Sequence, residues 1–231
     1  MSDLPLRLAQ PVTLVGNGPF TAAMLAEAMA FAPGLIAADR GAARLAALGR
    51  RAIAVIGDMD SLPDPAGFDG GRTRLIHLAE QDTTDFEKCL YATEAPFYLG
   101  VGFTAGRVDH MLAVFHAMLR YPAKPVILLG AEDAIALAPA GRRLRLGLRP
   151  GARVSVFPLL PVAARRSRGL VWPLDGLGFA PGRRVGTSNE AAHPVVEMEF
   201  DGPGALVMVE RAHLGALVHA VVAAVGLPGP A

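Results

Sequence analysis

Two aspartates with one residue between them, Asp58 and Asp60, follow the apolar run Ile53, Val55, Ile56 and the glycine at 57. Carboxylates this close repel, and each makes the other harder to ionise unless a cation is shared between them. A hard divalent ion such as Mg²⁺ meets that need, because it takes one or two carboxylates and completes its shell with water and substrate phosphate. Taken alone, an ordinary Asp-rich turn accounts for Asp58-Met59-Asp60-Ser61 just as readily. More carboxylates follow in Gln81-Asp82-Thr83-Thr84-Asp85-Phe86-Glu87. Either Thr84 or Asp82 can cap a helix there, with Asp85 and Glu87 complementing its dipole in the first turn. A second reading turns Asp82 and Asp85 toward the pocket of Asp58 and Asp60, and a helix N-terminus also attracts phosphate. Gly106-Arg107-Val108-Asp109-His110 adds an arginine, whose fork suits phosphate, and another carboxylate. A local ion pair between Arg107 and Asp109 is the alternative. Acidic loops around a cation with an arginine nearby are the parts that phosphoryl-type transfer uses, and Asp58, Asp85 and Asp109 are its candidate proton acceptors.

These residues need elements to carry them. Residues 12–15, 35–38 and 53–56 are predicted strands, and each is followed by a polar turn: Gly16-Asn17-Gly18, Asp39-Arg40-Gly41 and Gly57-Asp58. Thr21 is placed to cap a helix through Met24, Leu25 and Met29, and 42–48 is a short helix. Residues 75–78, 97–101 and 126–129 continue the strands, and 111–119 is an apolar helix. Strand, turn and helix alternate, which predicts a parallel sheet with helices on its faces and ligand chemistry at the strands' carboxyl ends. Gly16-Asn17-Gly18 is either a phosphate-approaching turn or a plain tight turn, since Thr21 stands where a dinucleotide fingerprint needs its third glycine. Residues 62–71 read as a Pro-, Asp- and Gly-rich loop. After about 137 the pattern changes to short strands at 144–148, 154–157, 195–200 and 205–209, which predicts an antiparallel β domain. The expected fold is therefore α/β: a Rossmann-like parallel-sheet domain over 1–138, then a smaller β-sandwich over 139–231.

A hydrophobic fraction of 52% supplies a sizeable core, and a net charge of +1 gives no case for nucleic acid. Ten of the 22 basic residues, all arginine, lie between Arg142 and Arg184, and six of them, Arg142, Arg143, Arg145, Arg149, Arg153 and Arg165, read as a solvated strand face. The one cysteine, Cys89, fits a small buried hydrophobe in a reducing compartment. Residues 1–10 lack the apolar core of a signal peptide, and 214–225 is too short to span a bilayer, so the expectation is a cytoplasmic protein off the membrane. His110 and His116 have no metal-ligand spacing and read as structural.

In order along the chain, Ala38-Asp39-Arg40-Gly41-Ala42, Gly57-Asp58-Met59-Asp60-Ser61, Gln81-Asp82-Thr83-Thr84-Asp85-Phe86 with Lys88, and Gly106-Arg107-Val108-Asp109-His110 resemble the thiamine pyrophosphokinase family. So do Gly169-Leu170-Val171-Trp172-Pro173-Leu174 and Gly186-Thr187-Ser188-Asn189-Glu190. The resemblance implies transfer of the terminal pyrophosphoryl unit of ATP to the hydroxyl of thiamine, giving thiamine diphosphate and AMP. It implies Mg²⁺ and the ATP phosphates at Asp58, Asp60 and Asp85, with Asp109 completing the catalytic set. Asp39, Gln81, Asp82, Thr84 and Arg107 would line the nucleotide. Trp172, Ser188 and Asn189 would meet thiamine, near the subunit interface of a homodimer. Arg40 and Ala43 depart from the family's usual glycine and asparagine, and Phe103 stands where glycine is common. Two rivals are a pyrophosphokinase acting on a pterin alcohol and a non-catalytic nucleotide-sensing module. The hydrophobic segment after Ala212 has no place in the resemblance.

Overall fold

The computed structural model describes residues 4–60 and 73–229. Ser61 and the loop expected at 62–71 lie outside the described residues. The chain divides into two compact units, Met1–Ala117 with Leu128–Gly130, and Met118–Ile127 with Ala131–Ala231.

The first unit is a layered α/β structure. After the short strand β1 (Leu6–Arg7), strands β2 (Val12–Val15), β3 (Gly34–Ala38) and β4 (Ala54–Gly57) are buried at every residue. Strands that carry apolar side chains on both faces are what a helix-covered parallel sheet requires. β5 (Arg74–His77) pairs in parallel with β4, and β4 in parallel with β3. β6 (Thr93–Glu94) pairs in parallel with β1, and β7 (Tyr98–Val101) in parallel with β2; β7 also neighbours β8 (Val126–Leu129). Helix α1 (Ala22–Phe31) starts at Thr21, whose hydroxyl accepts the Met24 N–H at 3.2 Å. Helix α2 (Gly41–Ala47) follows β3 directly. It can do so because residue 41 is glycine: a Cβ there would lie 2.0 Å from the Val15 carbonyl oxygen. Helix α3 (Asp85–Ala92) follows Thr84, and α4 (Val108–Arg120) follows the 102–107 loop. Pairing in parallel sets the carboxyl ends of β3, β4 and β5 on one rim, and Asp39 and Asp58 each stand just past such an end.

The second unit has two antiparallel sheets. In one, β14 (Gly186–Glu190), β11 (Arg153–Pro158), β16 (Ala205–Glu210) and β9 (Asp133–Leu137) are adjacent in that order. In the other the order is β10 (Arg143–Gly147), β15 (Val195–Phe200), β12 (Val162–Arg168) and β13 (Gly178–Phe179). β10 alternates exposed arginine with buried Leu144 and Leu146, and β15 buries Val196, Met198 and Phe200, so this sheet has one wet face and one dry face. The predicted helix-like tail is helix α5 (Leu214–Ala224), and it packs against β9, β16 and β10, strands of both sheets. That contact explains its apolar character on nearly every side. Among the described residues no helix is long and apolar enough to cross a membrane.

Leu217 is fully buried in α5. Leu217→Ala should lower stability by about 2–5 kcal/mol through lost burial and the cavity left behind. Urea unfolding measures it, and a change below about 0.5 kcal/mol would mean that the helix does not close the second core.

Candidate active site

The acidic residues of the first unit gather at the end of β4. Asp39 follows β3 with φ +38, a left-handed backbone that aspartate tolerates better than most side chains, and its N–H bonds the Ile56 carbonyl at 2.8 Å. Its side chain is almost wholly buried. A Cβ built on Gly57 would stand 2.8 Å from the Asp39 Cβ and 3.3 Å from Asp85 Oδ1. Glycine at 57 is therefore what lets Asp39 and Asp85 close over the strand end. Thr84 caps α3 by accepting the Glu87 N–H at 3.3 Å, which sets Asp85 in the first turn. Asp58 faces Gln81, whose Nε2 donates to Asp58 Oδ2 at 3.0 Å, and the Asp60 N–H donates to Asp58 Oδ1 at 3.3 Å.

The electrostatics separate these carboxylates. Burial, and next the charge of Asp39, push the Asp85 carboxyl up to about 6; Asp58 adds to this, while Lys88 and His110 oppose it. The Gln81 hydrogen bond holds Asp58 below the usual carboxylate range. Lys88 lies one turn along α3 from Asp85 and is 1% exposed, so the acidic rim carries a buried cation of its own. Sequence reasoning gave Lys88 no role. The signal was available in its spacing: a lysine three residues after Asp85 shares that helix face.

Other predicted residues sit differently. Asp60 and Asp82 are exposed, and Asp82 donates its N–H to Glu80 Oε2 at 2.9 Å. Glu80 organises the approach to α3: it also accepts from Thr83 N–H at 3.1 Å and from the Tyr91 hydroxyl at 2.7 Å, and the Thr83 and Tyr91 hydroxyls are the main cause of its drop to about 2. Arg107 grips Asp109 with two bonds, Nε to Oδ1 at 3.1 Å and Nη2 to Oδ2 at 2.6 Å. Both side chains are exposed, and the guanidinium brings Asp109 down to about 2. The glycine turn after β2 is a packing element, since the Gly16 N–H bonds the Val101 carbonyl and the Gly18 N–H bonds the Gly102 carbonyl, each at 2.9 Å. Phe103 fills the space that Gly16 and Gly100 leave and meets Phe86 edge-on at 4.7 Å.

Among the described residues no three His, Cys, Asp or Glu side chains stand grouped to hold a metal ion. The donor chemistry at Asp39, Asp58 and Asp85 nevertheless suits a hard cation: the oxygens are carboxylate, and beyond burial the neighbouring Asp39 and Asp58 charges raise Asp85, a repulsion that a cation would relieve.

In the second unit Trp172 is 58% exposed and Ser188 is exposed with φ +59. Asn189 is buried, and its side chain bonds the Trp172 backbone. Several arginines of this unit face acids: Arg145 with Glu197 at 3.7 Å, Arg149 with Glu210 at 3.6 Å, and Arg153 with Asp133 at 2.5 Å. That pairing is the behaviour of strand faces meeting water.

A family model described as "Thiamin pyrophosphokinase, catalytic domain" matches residues 25–128. Thiamine pyrophosphokinase 1 of Arabidopsis thaliana is 28% identical over 161 residues, 63% of this chain and 60% of that protein. Thiamine pyrophosphokinase 1 of Oryza sativa subsp. japonica is 27% identical over 161 residues, 63% of this chain and 61% of that protein. The chain thus spans about 60% of the length of the curated relatives it matches. Among solved structures, the thiamin pyrophosphokinase of Geobacillus thermodenitrificans superposes with TM-score 0.72 at 22% identity, covering 87% of this chain and 96% of that one. The yeast enzyme's structure gives TM-score 0.72 at 15% identity, covering 92% and 93%. At these identities the two structures speak for the fold. Residues 25–128 thus match the thiamin pyrophosphokinase catalytic-domain model, and the chain shares the fold of solved thiamin pyrophosphokinases.

Proposed function

We propose that the protein transfers the pyrophosphoryl group of ATP to the primary hydroxyl of thiamine. The observation that carries this reading is the approach of Asp39 and Asp85 across Gly57, with Asp58 near enough to raise the Asp85 carboxyl further. The hydroxyl oxygen bonds to the β-phosphorus, the bond from that phosphorus to the α–β bridging oxygen breaks, and AMP leaves. Asp58, Asp60 and Asp85 would hold Mg²⁺, which when bound spreads the charge of the phosphates. Asp39 stands behind them, buried, and Gln81 orients Asp58. Asp82 and Thr84 lie at the N-terminus of α3, where the helix dipole favours phosphate. Of the three candidate proton acceptors, Asp109 is tied to Arg107, Asp58 is held low by Gln81, and Asp85 is raised by burial in the metal-free chain. Arg107 and Asp109 would meet the nucleotide as a pair. Trp172 and Ser188 form the thiamine-binding surface of the second unit. An exposed indole suits a flat cationic ring, and a homodimer would cover it.

Incubation with thiamine, ATP and Mg²⁺ should release AMP and thiamine diphosphate in equal amounts. ADP release, or turnover only with a pterin alcohol, would overturn the reading. Asp58→Asn and Asp85→Asn should each lower kcat by about a hundredfold or more while the protein stays folded. Normal Mg²⁺-dependent turnover in either variant would remove that residue from the metal assignment.

The Asp85 carboxyl also fixes a stability prediction. It titrates at 3.8 when unperturbed and at about 6 in the fold. Between those values the native chain binds more protons than the unfolded chain, so this group's contribution to stability falls as pH rises through that window and levels off above it. In metal-free protein Asp85→Asn should gain stability relative to wild type from about pH 4 to about pH 6. Urea unfolding across that range checks this, and a difference that stays constant with pH would contradict it.

A further inference from the structure

Ser188 and Asn189 are neighbours in β14, where Ser188 departs from regular strand geometry with φ +59. Ser188 is exposed, whereas Asn189 is 6% exposed. Asn189 Oδ1 accepts the Trp172 N–H at 3.2 Å and the Glu190 N–H at 2.8 Å, and its Nδ2 donates to the Trp172 carbonyl at 2.7 Å. An asparagine amide offers two donors and two acceptor sites. Three of those four are thus committed to main chain, two of them to the same residue. A side chain that takes both the N–H and the C=O of one residue satisfies its backbone as a neighbouring strand would.

The flanking segment is tied to the same strand. The Val171 N–H bonds the Glu190 carbonyl at 2.9 Å, and Leu170 bridges Ala191. Before it, Gly169 turns with φ +78, and a Cβ there would lie 2.1 Å from the Val195 carbonyl oxygen. These constraints leave Trp172 at 58% exposure beside Val171 at 43%. A free indole would lower its energy by folding onto apolar surface, but this one has its backbone fixed on both sides.

We infer that Asn189 is a positioning residue, which clamps the Trp172 backbone so that the indole stands outward as a preformed face for a flat, cationic aromatic substrate. Asn189 itself does not touch that substrate. The identity of the substrate rests on the function proposed above; the clamp does not. A face held in place before binding saves the ordering entropy that a mobile indole would lose on contact.

Trp172 is the only tryptophan in the chain, so its emission and anisotropy report this site alone. In Asn189→Ala the anisotropy should drop and the emission should shift, with the far-UV spectrum unchanged. The KM for thiamine should rise about tenfold, with kcat and the KM for ATP within about twofold of wild type. Asn189→Asp keeps both acceptor contacts but sets a carboxylate oxygen against the Trp172 carbonyl in place of the donated bond, so it should loosen Trp172 too, and it serves as the second variant if the alanine variant does not fold. Wild-type emission and anisotropy in a folded variant would overturn the clamp. A weaker affinity for thiamine with unchanged Trp172 signals would overturn it as well, because Asn189 would then bind the substrate directly. If the wild-type protein proves inert toward thiamine, the fluorescence comparison still decides the clamp, so the two failures are distinguishable.

Discussion

Like charges drawn together over the end of one strand are the constraint on which the rest of the first unit depends. Asp39 and Asp85 approach each other only because residue 57 has no side chain to separate them. Aspartate at 39 adopts a backbone conformation that most residues avoid, and its side chain is almost wholly buried. These features cost stability, and a fold keeps such costs where chemistry needs them. Each is offset locally. Gln81 donates to Asp58, Thr84 caps the helix that carries Asp85, and the buried Lys88 supplies a positive charge. None of these supports is itself acidic, yet without them the carboxylates would not share one rim.

The second unit holds its functional side chain by another means. Hydrogen bonds between Asn189 and the Trp172 backbone fix where the ring stands. Both sites illustrate the same rule, that a reacting or binding group is only as well placed as the residues behind it. In the first unit those residues manage charge, and in the second they manage the peptide chain.

Much of this was legible in the sequence because the first unit obeys simple patterning. Val12–Val15 and Val126–Leu129 are short apolar runs closed by turns, and they are strands over those same residues. Asp39 and Asp58 were legible as site candidates because each follows such a run directly. The second unit hid more. β12 carries Arg165, Arg166 and Arg168, and β14 reads Gly-Thr-Ser-Asn-Glu; neither shows the apolar alternation that marks a strand. The tail after Ala212 was readable as a helix, but its place against two sheets depends on pairings far apart in sequence. Long-range contact also decides Phe103, whose ring occupies the space over Gly16 and Gly100. The bidentate grip of Arg107 on Asp109 was the local alternative from the start, and side-chain geometry alone distinguishes it from a carboxylate turned toward the acidic rim.

Asp39 and Asp85 share one electrostatic environment that calls for a cation. Carboxyl-carbon NMR of metal-free protein, following Asp85 through its titration, tests this most directly. A midpoint of about 6 is expected in the wild-type chain, a partial fall in Asp39→Asn because burial is the larger cause, and a fall on addition of Mg²⁺ to the wild type. An Asp85 that titrates near 3.8 in the wild type, or that ignores both the substitution and the ion, would contradict it.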